Sequence, residues 1–196
     1  MTFTVQDHFF RKAKKHHYLA RAVYKLEEIQ KRFKILKAGD RVLDLGAAPG
    51  SWIQLAGEIV GGAGLIVAID LKPIEHSFPK FVVTVQGDIY DQGFVETVLH
   101  DHVPFNVVLS DMAPSTSGIK AADSARSALL FERAFEVGLW ALAPGGTFLA
   151  KLFHGSDFHR LLAEAKKHFS QTRVVRPEAT RKQSKEIYIL ALNKKT

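Results

Sequence analysis

The stretch Val42-Leu43-Asp44-Leu45-Gly46-Ala47-Ala48-Pro49-Gly50-Ser51-Trp52 constrains this chain more than any other. An apolar run of β type ends in a turn of small residues, and a helical pattern follows. Gly46 and Gly50 carry no Cβ, so the backbone there is free to approach a ligand closely. Pro49 suits the first turn of a helix, where its missing N–H costs nothing. Strand, tight turn and helix N-terminus together form the ligand cradle of an open α/β sheet.

The rest of the chain alternates in the same way. Strands are expected near 41–46, 65–70, 81–86, 106–111, 146–152, 172–176 and 186–192. Helices are expected near 50–60, 92–100, 124–142 and 156–169. Leu65-Ile66-Val67-Ala68-Ile69 is wholly apolar, which suits burial on both faces of a parallel sheet. The final run, from Glu186 to Leu192, follows a short polar connection and admits an antiparallel placement. Residues 19–33 read as an amphipathic helix. Leu19, Val23, Leu26, Ile29, Gln30 and Phe33 share one stripe, and Arg21, Lys25 and Arg32 form a basic ridge along its flank. Ala113-Pro114-Ser115-Thr116-Ser117-Gly118 opens a polar loop reaching to about Asp123, directly after a strand end. The length of 196 residues suits a single α/β domain over 1–196, with residues 1–40 as a basic helical extension.

Charge is segregated along the chain. Residues 1–41 hold eleven Lys/Arg against four Asp/Glu, and residues 151–196 repeat those numbers. Residues 42–150 hold five against twelve, so two ends of +7 flank a middle of −7. One such run is ordinarily a solvated face. Two matching runs around an acidic centre suggest a polyanion-binding surface beside a small-ligand pocket. The candidate phosphate contacts are Arg11, Lys12, Lys14, Lys15, Arg21 and Arg32, with Arg181 and Lys182. The chain lacks cysteine, a signal-peptide core and any membrane-spanning run, which points to the cytoplasm. The histidines show no metal-ligand spacing, so no metal is expected.

Acidic residues mark successive strand ends. Asp70 closes the second strand about 20 residues beyond the glycine turn, where a carboxylate accepts hydrogen bonds from ribose hydroxyls. That alone fits NAD or any adenosine-bearing cofactor. The turn is not G-x-G-x-x-G, and Pro49 replaces an amide that a pyrophosphate would seek. Asp88, after the third strand, is placed to accept from an adenine amino group. A cationic adenosine cofactor without phosphate, S-adenosylmethionine, fits best. Taken singly, each acid also reads as a turn former or helix cap. Asp44 stays open between the turn backbone and the ligand.

Two further residues stand at later strand ends, Asp111 after Val107-Val108-Leu109-Ser110 and Lys151 after Gly146-Thr147-Phe148-Leu149-Ala150. Burying a lysine charge requires a partner. A lysine over the crevice is a candidate general base for an alcohol; the alternative is a side chain snorkelling at a sheet edge.

Lys25, Asp111, Lys151 and Glu186 resemble the K-D-K-E tetrad of the FtsJ/RrmJ family of large-subunit ribosomal RNA uridine 2′-O-methyltransferases. The motifs that carry the resemblance are Arg21-Ala22-Val23-Tyr24-Lys25-Leu26, Asp44 to Gly50, Ser110-Asp111-Met112-Ala113-Pro114, Leu142-Ala143-Pro144-Gly145-Gly146 and Ser184-Lys185-Glu186-Ile187-Tyr188. Ser51 and Ser115-Thr116 depart from the family pattern. The resemblance implies a Rossmann-like methyltransferase fold, a mostly parallel seven-stranded sheet with helices on both faces. It implies S-adenosylmethionine contacts at Gly50, Trp52, Asp70, Asp88 and Asp111. It implies Lys151 as proton acceptor, completed by Lys25, Asp111 and Glu186. The expected reaction is methylation of a ribose 2′-hydroxyl, on a uridine of large-subunit ribosomal RNA within a ribosomal particle, by a monomer. Competing readings are methylation of tRNA or an mRNA cap, a noncatalytic ribosome assembly factor, and a small-molecule O-methyltransferase.

Overall fold

The computed structural model describes residues 8–181 and 183–196, so Lys182 lies outside the described residues. Seven strands form one sheet in the order β3-β2-β1-β4-β5-β7-β6. They are β1 (Arg41–Leu45), β2 (Leu65–Asp70), β3 (Val82–Gln86), β4 (Phe105–Ser110), β5 (Leu142–Phe153), β6 (Phe169–Val175) and β7 (Glu186–Lys194). The first five pair in parallel, while β7 runs antiparallel between β5 and β6. The chain reverses its direction of travel across the sheet at β1, with β2 on one side and β4 on the other. That switch point opens a crevice beyond the strand ends.

Helices cover both faces. The helices α4 (Gln92–Leu99), α5 (Lys120–Ala141) and α6 (Phe158–His168) bury Val95, Phe131 and Leu161 against Leu43, Val108 and Ile189. On the other face, α1 (His8–Lys15), α2 (Val23–Phe33) and α3 (Ser51–Val60) bury Ala13, Leu26 and Ile53 against Val42, Leu109 and Leu190. Strand side chains alternate between faces. Asp44, Asp70, Asp111, Lys151, Glu186 and Tyr188 therefore share the face covered by α1, α2 and α3, because Val42, Ala68, Leu109, Leu149 and Leu190 lie on it.

Several boundaries differ from expectation, each for a tertiary reason. The helix expected over 19–33 begins only at Val23. Gln54 of α3 binds the backbone of His17 and Leu19, and the Tyr18 hydroxyl donates to Glu58, so this segment turns onto α3 instead of coiling. Helix α3 starts at Ser51 with Gly50 as its cap, which leaves Pro49 outside the first turn, after a cis bond. The loop after β4 ends at Lys120 rather than Asp123. Strand β5 starts at Leu142, with a register shift where Pro-Gly-Gly passes β4, and it continues beyond Lys151 to Phe153. Strand β6 begins at Phe169, directly after α6.

Candidate active site

The crevice at the switch point has a volume of about 440 Å³, with Gly46, Asp70, Asp88, Tyr90, Asp111 and Met112 in its walls. Gly46 has φ +77°, and a Cβ there would sit 2.2 Å from Met112 Cγ, so only glycine fits. Asp70 accepts from the amides of Ala48 (2.9 Å) and Lys72 (2.8 Å), one on each carboxylate oxygen. Asp88 takes the Tyr90 amide at 2.9 Å on Oδ1 alone. Both acids therefore shape turns and also line the crevice.

Gly50 and Trp52 are both held by packing within the protein. Gly50 has φ +109°, and a Cβ there would sit 2.8 Å from Phe78 Cζ and 3.2 Å from Leu19 Cδ1, so glycine suits both the turn and the packing. The Trp52 indole donates to the Ala22 carbonyl at 2.9 Å and lies 5.9 Å from the Tyr188 ring. It ties the start of α2 to the site and lines a smaller cavity beside the crevice.

The tetrad assembles as one charged cluster. Lys151 Nζ lies 3.1 Å from Asp111 Oδ1 and also donates to the Asp111 main-chain carbonyl. Lys25 Nζ lies 3.9 Å from the same Oδ1 and 2.7 Å from Glu186 Oε2. The Lys151 side chain is 4% exposed, in a central strand paired on both edges. A snorkelling edge lysine is thereby excluded. Lys25 is buried too, in the first turn of α2, so it does not belong to an exposed basic ridge.

Tyr188, which the sequence reading passed over, completes the cluster. Its hydroxyl donates to Asp111 Oδ1 at 2.5 Å, and it pairs in register with Lys151. The available signal was its spacing: it stands two residues after Glu186, on the same strand face. Burial, then the charge of Asp111, holds its phenol far above the ordinary range, so it stays a donor. Burial works to raise the Asp111 carboxyl, but Lys151, Lys25 and the Tyr188 hydroxyl outweigh it, and the group sits below the usual range as an anion.

Asp44 does not bind the turn backbone. No described protein group donates to either of its oxygens, although the residue is 1% exposed. Burial pushes its carboxyl up to about 8, helped by the charges of Asp111 and Asp70.

Solved structures share this architecture. A ribosomal RNA methyltransferase of Plasmodium falciparum superposes with a TM-score of 0.77 at 26% identity, covering 90% of this chain and 98% of its own. Aeropyrum pernix fibrillarin, in complex with S-adenosyl-L-methionine, shares the fold at a TM-score of 0.63 and 18% identity, covering 87% and 76%. The fold with its crevice is that of a Rossmann-like methyltransferase. The FtsJ-like methyltransferase model matches residues 18–194, and the chain belongs to that family. A protein of Syntrophobacter fumaroxidans named ribosomal RNA large subunit methyltransferase E is 62% identical over 192 residues, 98% of each chain. A protein of that name from Bdellovibrio bacteriovorus is 46% identical over 198 residues, covering both chains completely.

Proposed function

We propose that this protein transfers a methyl group from S-adenosylmethionine to the 2′-hydroxyl of a uridine in large-subunit ribosomal RNA, acting as a cytoplasmic monomer on a ribosomal particle. The observation that carries the reading is the largely buried Lys25–Glu186 and Lys25–Asp111–Lys151 cluster, which meets the crevice through Asp111. The relatives named for large-subunit ribosomal RNA supply the substrate class. The cofactor residues fit: three carboxylates face a crevice of suitable size, with Gly46 and Met112 in its wall. Asp70, Asp88 and Asp111 would hold the nucleoside and its cationic part, with Gly50 and Trp52 supporting the turn. When bound, S-adenosylmethionine supplies the methyl group as an electrophile on a sulfonium.

The chain's own residues prepare the ribose hydroxyl. Two of the three hydrogen-bonding positions on Lys151 Nζ go to Asp111. The third serves the hydroxyl, whose proton the neutral amine accepts. With Lys151 neutral, the cluster of Lys25, Lys151, Asp111 and Glu186 carries one net negative charge, and taking up the proton neutralises it. Lys25, anchored by Glu186, keeps Asp111 in place, and Tyr188 fixes the shared oxygen. Much of the rate comes from holding the hydroxyl in register with the methyl donor.

The test is methyl transfer from tritiated S-adenosylmethionine to ribosomal subunits, with the product nucleosides identified by mass spectrometry. The expected product is 2′-O-methyluridine from the large subunit. Lys151→Ala should lose turnover by at least about a hundredfold and still bind the cofactor. Lys151→Arg should fail as well, because a guanidinium stays protonated. Tyr188→Phe should cost roughly tenfold, the worth of one hydrogen bond to a charged group. A methylated base, a tRNA product, or a near-normal rate from Lys151→Ala would overturn the reading.

A further inference from the structure

The loop after β5 carries a ring pair that neither the cofactor crevice nor the tetrad uses. His154 stands three residues beyond Lys151, where β5 leaves the sheet. Its ring stacks on Phe158 at the start of α6, with centroids 4.9 Å apart and planes 24° apart. Phe158 is buried, whereas His154 is exposed. One face of the imidazole is therefore backed by an apolar ring, and the other is turned to solvent. The loop is tied on several sides. The His154 amide donates to the Lys185 carbonyl at 2.9 Å, immediately before Glu186. The Phe153 amide donates to Ser127 Oγ of α5 at 2.9 Å. A Cβ on Gly155 would sit 2.7 Å from Ser124 Cβ, so the loop lies directly on α5. The imidazole is thus a flat surface held in place at the rim of the site.

Its place relative to the tetrad decides what reaches it. Phe153 pairs with Glu186 across β5 and β7, so His154 adjoins the rim beside Glu186. The crevice lies over the ends of β1, β2 and β4, through Gly46, Asp70 and Asp111, which leaves the ends of β5 and β7 to the RNA strand. Three residues of extended chain span about 10 Å, and His154 meets α6 on the sheet face opposite Lys151. A ribose held at Lys151 therefore leaves this ring to a neighbouring nucleotide. We propose that His154, backed by Phe158, is a stacking platform for the base of a nucleotide flanking the methylated ribose, and so holds the RNA strand in line with Lys151. This rests on the RNA methyltransferase reading. The occupant is a base, not a phosphate, because the surface offered is a flat π-face with a second ring behind it. A phosphate calls for available cationic donors, and Arg160, the nearest arginine along the chain, is paired with Asp157 and Glu132. Every base has a π-face, so the contact orients the strand without selecting its sequence, and the flanking base is unpaired when bound.

Steady-state methyl transfer to large ribosomal subunits, together with filter binding of the same subunits across a salt series, tests the platform. Three variants separate its possible roles: His154→Ala removes the ring, His154→Phe keeps a ring without a cation, and His154→Lys keeps a cation without a ring. His154→Ala should raise KM for the subunits about tenfold, the worth of one stacked base, with a smaller effect on kcat. Its affinity for S-adenosylhomocysteine should match the wild type. His154→Phe should restore KM to within about twofold, and His154→Lys should not. The wild type and His154→Ala should show parallel salt slopes, because a lost stack changes no counterion release. A wild-type KM from His154→Ala would overturn the inference. So would a salt slope flattened by about one unit and restored by lysine, which marks a phosphate contact. Either result leaves the methyl-transfer reading intact, since the wild type still turns over. A wild type that methylated no RNA would end that reading and this one together.

Discussion

Asp44 and Asp111 are both buried aspartates on one sheet face, yet their environments push them in opposite directions. Asp111 meets two lysine side chains and a phenol, while among the described residues the charges acting on Asp44 are those of other acids. The consequence for stability has a definite sign. The folded-state carboxyl of Asp44 titrates at about 8, above its ordinary value of 3.8. Between those values the folded protein binds a proton that the unfolded chain has lost. Stability from this group is therefore fully present below pH 3.8 and declines as pH rises towards 8, by up to about 1.4 kcal/mol per pH unit. Asp44→Asn should remove that slope. Urea unfolding should show the variant gaining on the wild type between pH 5 and pH 7.5, by as much as about 3 kcal/mol. Parallel pH profiles for the two proteins would mean that Asp44 is ionised in the folded state.

At the scale of elements, the site depends on how α2 and α5 meet the strand ends. Among the described residues no side chain caps helix α2 at Ala22, but the Trp52 indole holds that carbonyl and so sets where Lys25 enters the cluster. Helix α5 organises the loop after β4 from within its own first turn. Asp123 accepts from the amides of Ser117 (2.9 Å) and Gly118 (3.2 Å) and from the Ser117 hydroxyl, and it pairs with Arg126. These contacts gather the donors that a helix start and its lead-in loop leave unsatisfied. The loop in turn carries Ala113 and Ser115 in the crevice wall. Asp123→Ala should speed hydrogen exchange at the Ser117 and Gly118 amides by about tenfold or more and weaken cofactor binding, with the sheet amides unaffected. Unchanged exchange at those two amides would show that the loop is held by other contacts.

For the molecule as a whole, the net charge of +7 sits mainly at the two ends of the chain. The folded structure separates these basic groups by availability. Arg11, Lys14 and Lys15 project from α1 and are exposed. Lys12 reaches Glu27 at 4.0 Å and lies 4.2 Å over the Tyr24 ring, and Arg32 pairs with Glu28 at 3.6 Å. Groups already engaged gain less from a phosphate. Alanine at Arg11, Lys14 or Lys15 should flatten the slope of log affinity for ribosomal RNA against log salt by about one unit each. Lys12→Ala and Arg32→Ala should flatten it less. Filter binding across a salt series reads both, and an affinity independent of salt would rule out the electrostatic contribution of α1.

The alternation of apolar strands with helical segments, the glycine turn and the acids at strand ends are local patterns, so the doubly wound sheet and its crevice were legible in the residues alone. The tetrad was legible too, but only through a family pattern. Nothing local to Lys25 links it to Glu186, 161 positions away. Folding brings them together because β7 inserts antiparallel between β5 and β6. That insertion sets Tyr188 opposite Lys151 and places Glu186 at the rim, within reach of α2. Tertiary contacts also overrode local signals. The stripe from Leu19 continued the helical period, yet Gln54 bound the backbone there and bent it away. Gly50 reads as part of a ligand cradle, and only the fold shows that Phe78 and Leu19 pack beside it. Asp44 carries the same lesson for chemistry: the residue type is written in the chain, but its charge at neutral pH depends on burial and on which charges the fold sets beside it.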